Sequence, residues 1–81
     1  MARTRRSRTE LEQILLSHLR STPHCKEARG VAVRRLARRR NGANWTAEVI
    51  YPGRSLAANC QEAIRVIVPM VQQHFDLAHD A

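Results

Sequence analysis

The spacing of apolar residues in the first quarter of the chain predicts an α-helix. Successive positions at about 100° place a set of apolar side chains on one face: Leu11, Ile14, Leu15, His18 and Leu19. Thr9 and Glu12 have the spacing of a capping box, in which each side chain bonds the other residue's backbone N–H. The segment 21–23 ends in proline and predicts the end of this helix.

The middle of the chain has the two-residue period of β-strands. Residues 44–51 alternate cleanly, with Trp45 and Val49 on one side and Thr46 and Glu48 on the other. Residues 31–36 begin in the same way and slip in phase at Arg34–Arg35, which predicts a β-bulge there.

The Asn41-Gly42 pair between these two runs is a turn signal. We therefore expect a β-hairpin with a basic tip of five or six residues. The alternative is a basic helix over residues 31–40, because Val33, Leu36, Ala37 and Arg40 also share a helical face.

The last third of the chain returns to helical spacing. One stripe continues from residue 60 to residue 78: Cys60, Ala63, Ile64, Ile67, Val71, His74, Phe75 and Ala78. Asn59 and Glu62 suggest a second capping box. Pro69 lies on the opposite, polar side, where a proline bends a helix inward over a sheet. The pattern predicts one long curved helix.

The element order predicts an α+β fold, a small two-layer α-β-β-α domain in which an antiparallel β-hairpin packs against two helices. Residues 9–78 form this single domain, residues 1–8 are expected to be a disordered basic arm, and residues 79–81 a frayed C-terminus. A two-stranded sheet leaves open edges, so homodimerisation through strand pairing is a second expectation.

Several segments resemble a group of small uncharacterised bacterial proteins with the same α-β-β-α order. The segments are "ELEQILLSHL", "GVAV", "NWTAEVIYPG" and "NCQEAIRVIVPMVQQHFDL", within residues 10–77. The resemblance implies an Asn-Trp-Thr strand and a long C-terminal helix. It implies no activity, because the group has no known function.

Charge narrows the classes of partner. The net charge is +7, and 13 of the 14 basic residues are arginine, which binds phosphate bidentately. Nine arginines lie in the hairpin tip and the arm, and they are the candidate nucleic-acid-binding residues: Arg34, Arg35, Arg38, Arg39, Arg40, Arg3, Arg5, Arg6 and Arg8. The sequence favours a polyanion partner, first of all nucleic-acid backbone. The alternative is an interaction or homodimerisation module that uses the sheet edge, with incidental arginines.

Other classes of function have little support in the sequence. One Trp, one Tyr and one Phe are too few for a base-stacking surface, so contact with backbone is favoured over contact with bases. No apolar run is long enough to span a membrane, and a cytoplasmic location is the expectation.

The sequence also contains no recognisable catalytic or metal-binding motif. Cys25 and Cys60 form no CxxC pair, and His18, His24 and His74 have no local ligand spacing. We therefore expect no enzyme, no metal and no cofactor. The sequence leaves open whether the two cysteines are bridged or free.

Overall fold

The computed structural model describes residues 4–23, 25–40, 42–51, 53 and 57–78. Its elements follow the order β1 Thr4–Arg6, α1 Arg8–Arg20, β2 Gly30–Arg40, β3 Ala43–Tyr51, α2 Ala57–Gln72 and β4 Phe75–Leu77. Strands β2 and β3 form an antiparallel hairpin, and β1 and β4 form a short parallel pair. The α+β class with two helices and an antiparallel hairpin is confirmed, and the β1–β4 pair is an addition that the sequence pattern did not predict.

Helix α1 begins two residues earlier than the predicted cap implies. The hydroxyl of Ser7 accepts from the backbone N–H of Glu10 at 3.1 Å, and Glu10 Oε1 accepts from the N–H of Ser7 at 3.3 Å. The predicted capping box at Thr9 and Glu12 is therefore wrong. Two overlapping segments have the same Ser/Thr-x-x-Glu spacing, and the upstream segment forms the cap. Glu12 instead accepts from the N–H of Val33 at 3.0 Å, across to β2.

The hairpin strands are longer than predicted. Strand β2 continues to Arg40, so only residues 41 and 42 separate it from β3, and Gly42 has a φ of 80°. The alternative of a basic helix over residues 31–40 is wrong, because all of these residues belong to a strand.

The register shifts at two places in this hairpin, between Gly30 and Val31 and again after Arg35. Partners run regularly from Val31↔Val49 to Arg35↔Trp45, and the next pair is Arg40↔Ala43. Four residues of β2 therefore lie opposite one residue of β3, which makes an extended bulge. It follows Arg35 rather than falling at Arg34–Arg35, and it takes up the residues that were predicted to form the tip.

The core lies between one face of the hairpin and the two helices. Its buried side chains come from α1, the hairpin and α2: Leu11, Leu15, Leu19, Val31, Val33, Trp45, Val49, Ile64, Ile67, Val68 and Val71. Trp45 is the largest of the fully buried side chains. Its indole N–H donates to the carbonyl oxygen of Phe75 at 3.0 Å, so the buried ring also anchors β4.

Helix α2 is shorter than the long helix that the stripe predicted. It contains Pro69, as expected, but it ends at Gln72, and the chain then forms strand β4. It also begins at Ala57, so the predicted cap at Asn59 and Glu62 lies inside the helix. The early end has a local reason: β4 gains backbone hydrogen bonds to β1 and buries Leu77.

The N-terminal arm is partly ordered, which corrects the prediction for residues 1–8. The N–H of Thr4 donates to the backbone carbonyl oxygen of His74 at 3.2 Å, and the N–H of Ala78 donates to that of Arg6 at 2.8 Å. Strand β4 thus provides backbone partners for Thr4–Arg6, and Arg8 already belongs to α1. Residues 1–3 and the predicted frayed C-terminus at 79–81 lie outside the described residues.

A disulfide joins Cys25, which follows α1, to Cys60 in α2. Both cysteines are fully buried, and their Cα atoms are 5.5 Å apart. The bond ties the segment before the hairpin to the second helix. Neither helix of the described structure is long and apolar enough to cross a membrane.

Candidate polyanion-binding surface

The five candidate arginines of the hairpin all lie in the second half of β2. We call Gly30–Val33 the proximal segment and Arg34–Arg40 the distal segment. All five distal arginines are exposed, and Leu36 is the only large apolar residue among them. The distal segment therefore presents exposed guanidinium groups, although its β3 partners Trp45 and Ala43 are buried.

The protein itself holds two of these five side chains. A terminal nitrogen of Arg35 donates to the carbonyl oxygen of Ala78 at 2.6 Å. Arg39 donates to the carbonyl oxygen of Gly42 at 2.6 Å and forms an ion pair with Asp76 at 3.3 Å.

The other three distal arginines are Arg34, Arg38 and Arg40. Within the described part of the chain they have no acidic partner. Their charge is thus available to an external anion, without an internal ion pair to break.

The candidate arginines of the N-terminal arm separate into two places. Arg5 in β1 is the register partner of Asp76 in β4, so their side chains lie on the same side of that strand pair. Arg6 instead lies over the Phe75 ring, 5.6 Å from its centre, and 3.5 Å from a carboxylate oxygen of Glu10. Arg8 is the first residue of α1, and Arg3 lies outside the described residues. The nine predicted arginines are therefore not one continuous site.

The hydrogen bonds at the start of α1 change the titration of Glu10. Its pKa is lowered from the ordinary value, first by the backbone N–H and the hydroxyl of Ser7, and then by the charge of Arg6. Arg6 of β1 thus pairs with the first turn of α1 and has its own counter-ion.

Arg5 joins the distal segment at a small basic pocket of about 290 Å³. Its lining comes from four strands: Arg5, Arg35, Arg39, Asn44, Asp76 and Leu77. The Asn44 amide is fixed by two bonds to Leu77: it accepts from the N–H at 2.9 Å and donates to the carbonyl oxygen at 3.1 Å. Three guanidinium groups against one carboxylate leave the pocket with a net charge of +2. Asn44 is uncharged and Asp76 is acidic, so the arginine runs of the sequence do not indicate either residue.

A second groove lies on the other side of the distal segment, between β3 and α2. Its volume is about 300 Å³, and Arg40, Arg65, Thr46 and Gln72 are among its lining residues. Arg65 was not among the candidates. Its sequence signal is its position four residues before Pro69, which places both on the same outward side of the helix.

Helix side chains occupy part of both hairpin edges. Glu12 accepts from the outward N–H of Val33 on β2. On β3, Gln72 donates to the carbonyl oxygen of Trp45 at 2.6 Å, and Gln61 donates to that of Val49 at 3.3 Å. These are backbone groups that an added strand would need, so the edges offer less to strand pairing than a bare hairpin would.

The described residues contain no cluster of three or more His, Cys, Asp or Glu side chains that could hold a metal ion. His18 and His74 are exposed, although His18 was placed in the apolar stripe of α1. Cys25 and Cys60 are bonded to each other, and His24 lies outside the described residues.

No protein-family profile, no curated protein and no solved structure matches the chain significantly. The resemblance to small bacterial proteins therefore stays an expectation.

Proposed function

We propose that this protein is a small, basic, non-catalytic domain that binds polyanions, nucleic-acid backbone above all, through the distal segment of β2. The observation that carries the proposal is the exposure of Arg34, Arg38 and Arg40 without an acidic partner in the described structure. They lie on a strand whose other half is fixed in the core.

The chemistry of these side chains suits phosphate. A guanidinium group donates two parallel hydrogen bonds to a phosphate, and each phosphate that is neutralised releases counterions from the nucleic acid. Because Arg34 and Arg40 are paired with β3 and Arg38 lies in the bulge between them, less backbone entropy is lost on binding than with a disordered arm.

Aromatic placement supports contact with backbone rather than with bases. Trp45 is buried, and Tyr51 lies at the opposite end of the hairpin, beside Gly30 in the register. Phe75 is half-buried and packs with Arg6. The distal segment itself contains no aromatic residue on which a base could stack. We therefore expect affinity that depends strongly on salt and little on base sequence.

The test is fluorescence anisotropy with random-sequence duplexes, measured between about 50 and 200 mM salt. One double variant, Arg38→Ser with Arg40→Ser, removes two charges from the distal segment. The matched control, Lys26→Ser with Arg29→Ser, removes two exposed charges near the opposite end of β2, about 30 Å away along the strand. Unfolding midpoints of both variants are expected to stay close to that of the wild type, because exposed substitutions change stability by only about 0.5 kcal/mol.

We expect the wild type to bind with a steep salt dependence. The distal variant should lose affinity, and the slope of log K against log salt should fall by about 2, one for each lost phosphate contact. The control should keep the wild-type slope. Equal losses in the two variants would mean that net charge alone drives the association, and the proposal would be wrong.

The alternative function is homodimerisation through the sheet edge, and the structure supports it less well. The helix side chains that bond outward groups of Val33, Trp45 and Val49 already use part of those edges.

A further inference from the structure

The basic pocket contains an ion pair whose two side chains are unequally exposed. Arg39 lies 3.3 Å from Asp76, and the side chain of Arg39 is 58% exposed whereas that of Asp76 is 16% exposed. Asp76 belongs to a strand that is bonded to β1 on one edge and to Asn44 on the other. The strand therefore fixes the backbone of Asp76, and Arg39, which also donates to the carbonyl oxygen of Gly42, is the more exposed side chain of the pair.

We propose that this pocket receives one phosphate group of the bound polyanion, and that Arg39 exchanges Asp76 for that phosphate when it binds. The inference depends on the proposed function. We call this pocket the phosphate seat. Asp76 acts as an intramolecular carboxylate that any incoming anion has to displace from Arg39.

The charges of the pocket support a phosphate as the occupant. Arg5 has no acidic partner at ion-pair distance in the described structure, and Arg35 bonds only the uncharged carbonyl of Ala78. The net charge of +2 remains after Asp76 is counted, and it matches one phosphodiester with charge to spare. The volume of about 290 Å³ is at the small end for ligand sites, which suits a phosphate group better than a sugar with its base.

The carboxylate also gives the pocket selectivity. A weakly held anion does not replace an ion pair that is already formed, whereas a phosphate that bonds Arg5, Arg35 and Arg39 together can do so. Asp76 therefore lowers affinity for every anion and most of all for those that bond a single guanidinium.

The experiment compares Asp76→Asn with Glu27→Gln in the same duplex titration. Both changes replace a carboxylate by its amide. Glu27 is exposed near the opposite end of the hairpin, beyond the Debye length of about 10 Å at 0.1 M salt. We expect Asp76→Asn to raise affinity about three- to tenfold, because the competing charge is lost from the seat. Glu27→Gln should change affinity by less than about twofold.

A second background tests the exchange itself. In protein that carries Arg39→Gln, the gain from Asp76→Asn should become smaller, because the part that comes from releasing Arg39 is lost and only the removal of the negative charge remains. Arg5→Ser covers the case in which Asp76→Asn fails to fold, since Arg5 is exposed and without an ion pair in the described residues. That variant should lose affinity severalfold and reduce the salt slope by about 1.

The outcomes separate this inference from the proposed function. If the wild type binds through Arg38 and Arg40 but Asp76→Asn and Glu27→Gln behave alike, the phosphate seat is wrong and the function stands. If the wild type shows no binding that depends on the distal segment, the function itself fails. Duplexes with and without 5′-phosphates should gain equally from Asp76→Asn. A gain confined to the phosphorylated duplex would overturn the backbone contact in favour of a terminal phosphate.

Discussion

The two halves of β2 pair with the same partner strand and have opposite properties. In the proximal segment Val31 and Val33 are buried, and Glu12 holds the N–H of Val33. In the distal segment five of seven residues are exposed arginines, and the register shifts by three residues after Arg35. The buried alternation of β2 ends at Val33, and the strand continues with exposed arginines, although their β3 partners Trp45 and Ala43 are still buried.

This difference implies that stability and polyanion binding depend on different halves of β2. Burying a valine side chain contributes about 1.5–3 kcal/mol, whereas an exposed ion pair contributes about 0–1 kcal/mol. The proximal segment and its helices should therefore determine whether the chain folds. The distal segment should contribute little to folding and most of the affinity for a polyanion.

The largest expected effect is on the core that the proximal segment shares. Trp45→Ala removes the largest fully buried side chain and the donor to the Phe75 carbonyl, so we expect a loss of about 3–5 kcal/mol in the free energy of unfolding. Urea unfolding followed by circular dichroism measures it. Trp45→Phe keeps most of the volume and should cost less. A loss below about 1 kcal/mol for Trp45→Ala would show that the core does not depend on the hairpin's inner face.

The next effect concerns the disulfide, which connects the approach to the proximal segment with α2. Cys25→Ser with Cys60→Ser opens a loop of 35 residues, for which chain entropy predicts a loss of about 3–4 kcal/mol. The urea midpoint of the variant measures this loss. Reduction of the disulfide in the wild type should lower the midpoint as well. An unchanged midpoint on reduction would contradict a stabilising bond.

Disulfides are rare in reducing cytoplasm, so the bond and the expected cytoplasmic location do not agree.

The smallest effect concerns the cap of α1, which lies outside both segments. Ser7→Ala should cost about 1 kcal/mol of unfolding free energy, because the N–H of Glu10 loses its acceptor. The folded-state pKa of Glu10 is below its unfolded value, so its contribution is present above the unfolded pKa and is lost as the pH falls through the folded pKa. Unfolding measured from neutral pH down to acid should therefore show a smaller acid-dependent loss for Ser7→Ala than for the wild type. Equal acid dependence would mean that the Ser7 hydroxyl does not contribute to the lowered pKa of Glu10.

The elements that the sequence predicted are those with a repeating pattern. Helix α1 and the hairpin have regular periods, and the Asn-Gly pair marks the turn. The position of the bulge was missed by one or two residues, because the arginines of the distal segment have no apolar phase that would reveal the register.

The missed elements have no local signal. Strands β1 and β4 have three residues each and lie about seventy residues apart in the chain, so neither shows a period. The apolar stripe of α2 continues through Phe75 in the sequence, although the backbone there pairs with β1. The pocket formed by Arg5, Arg39 and Asp76 depends on that pairing, and for this reason the arginines were predicted but their arrangement was not.

The most direct test of the division within β2 is an NMR titration of the ¹⁵N-labelled, disulfide-bonded protein with a short random-sequence duplex. Backbone amide shifts show which half of the strand meets the polyanion. The account predicts that the shifts concentrate in Arg34–Arg40, while the amides of Val31 and Val33 and of the Lys26–Arg29 segment stay nearly unchanged. Shifts of equal size at Lys26–Arg29, or spread evenly over all basic residues, would contradict it.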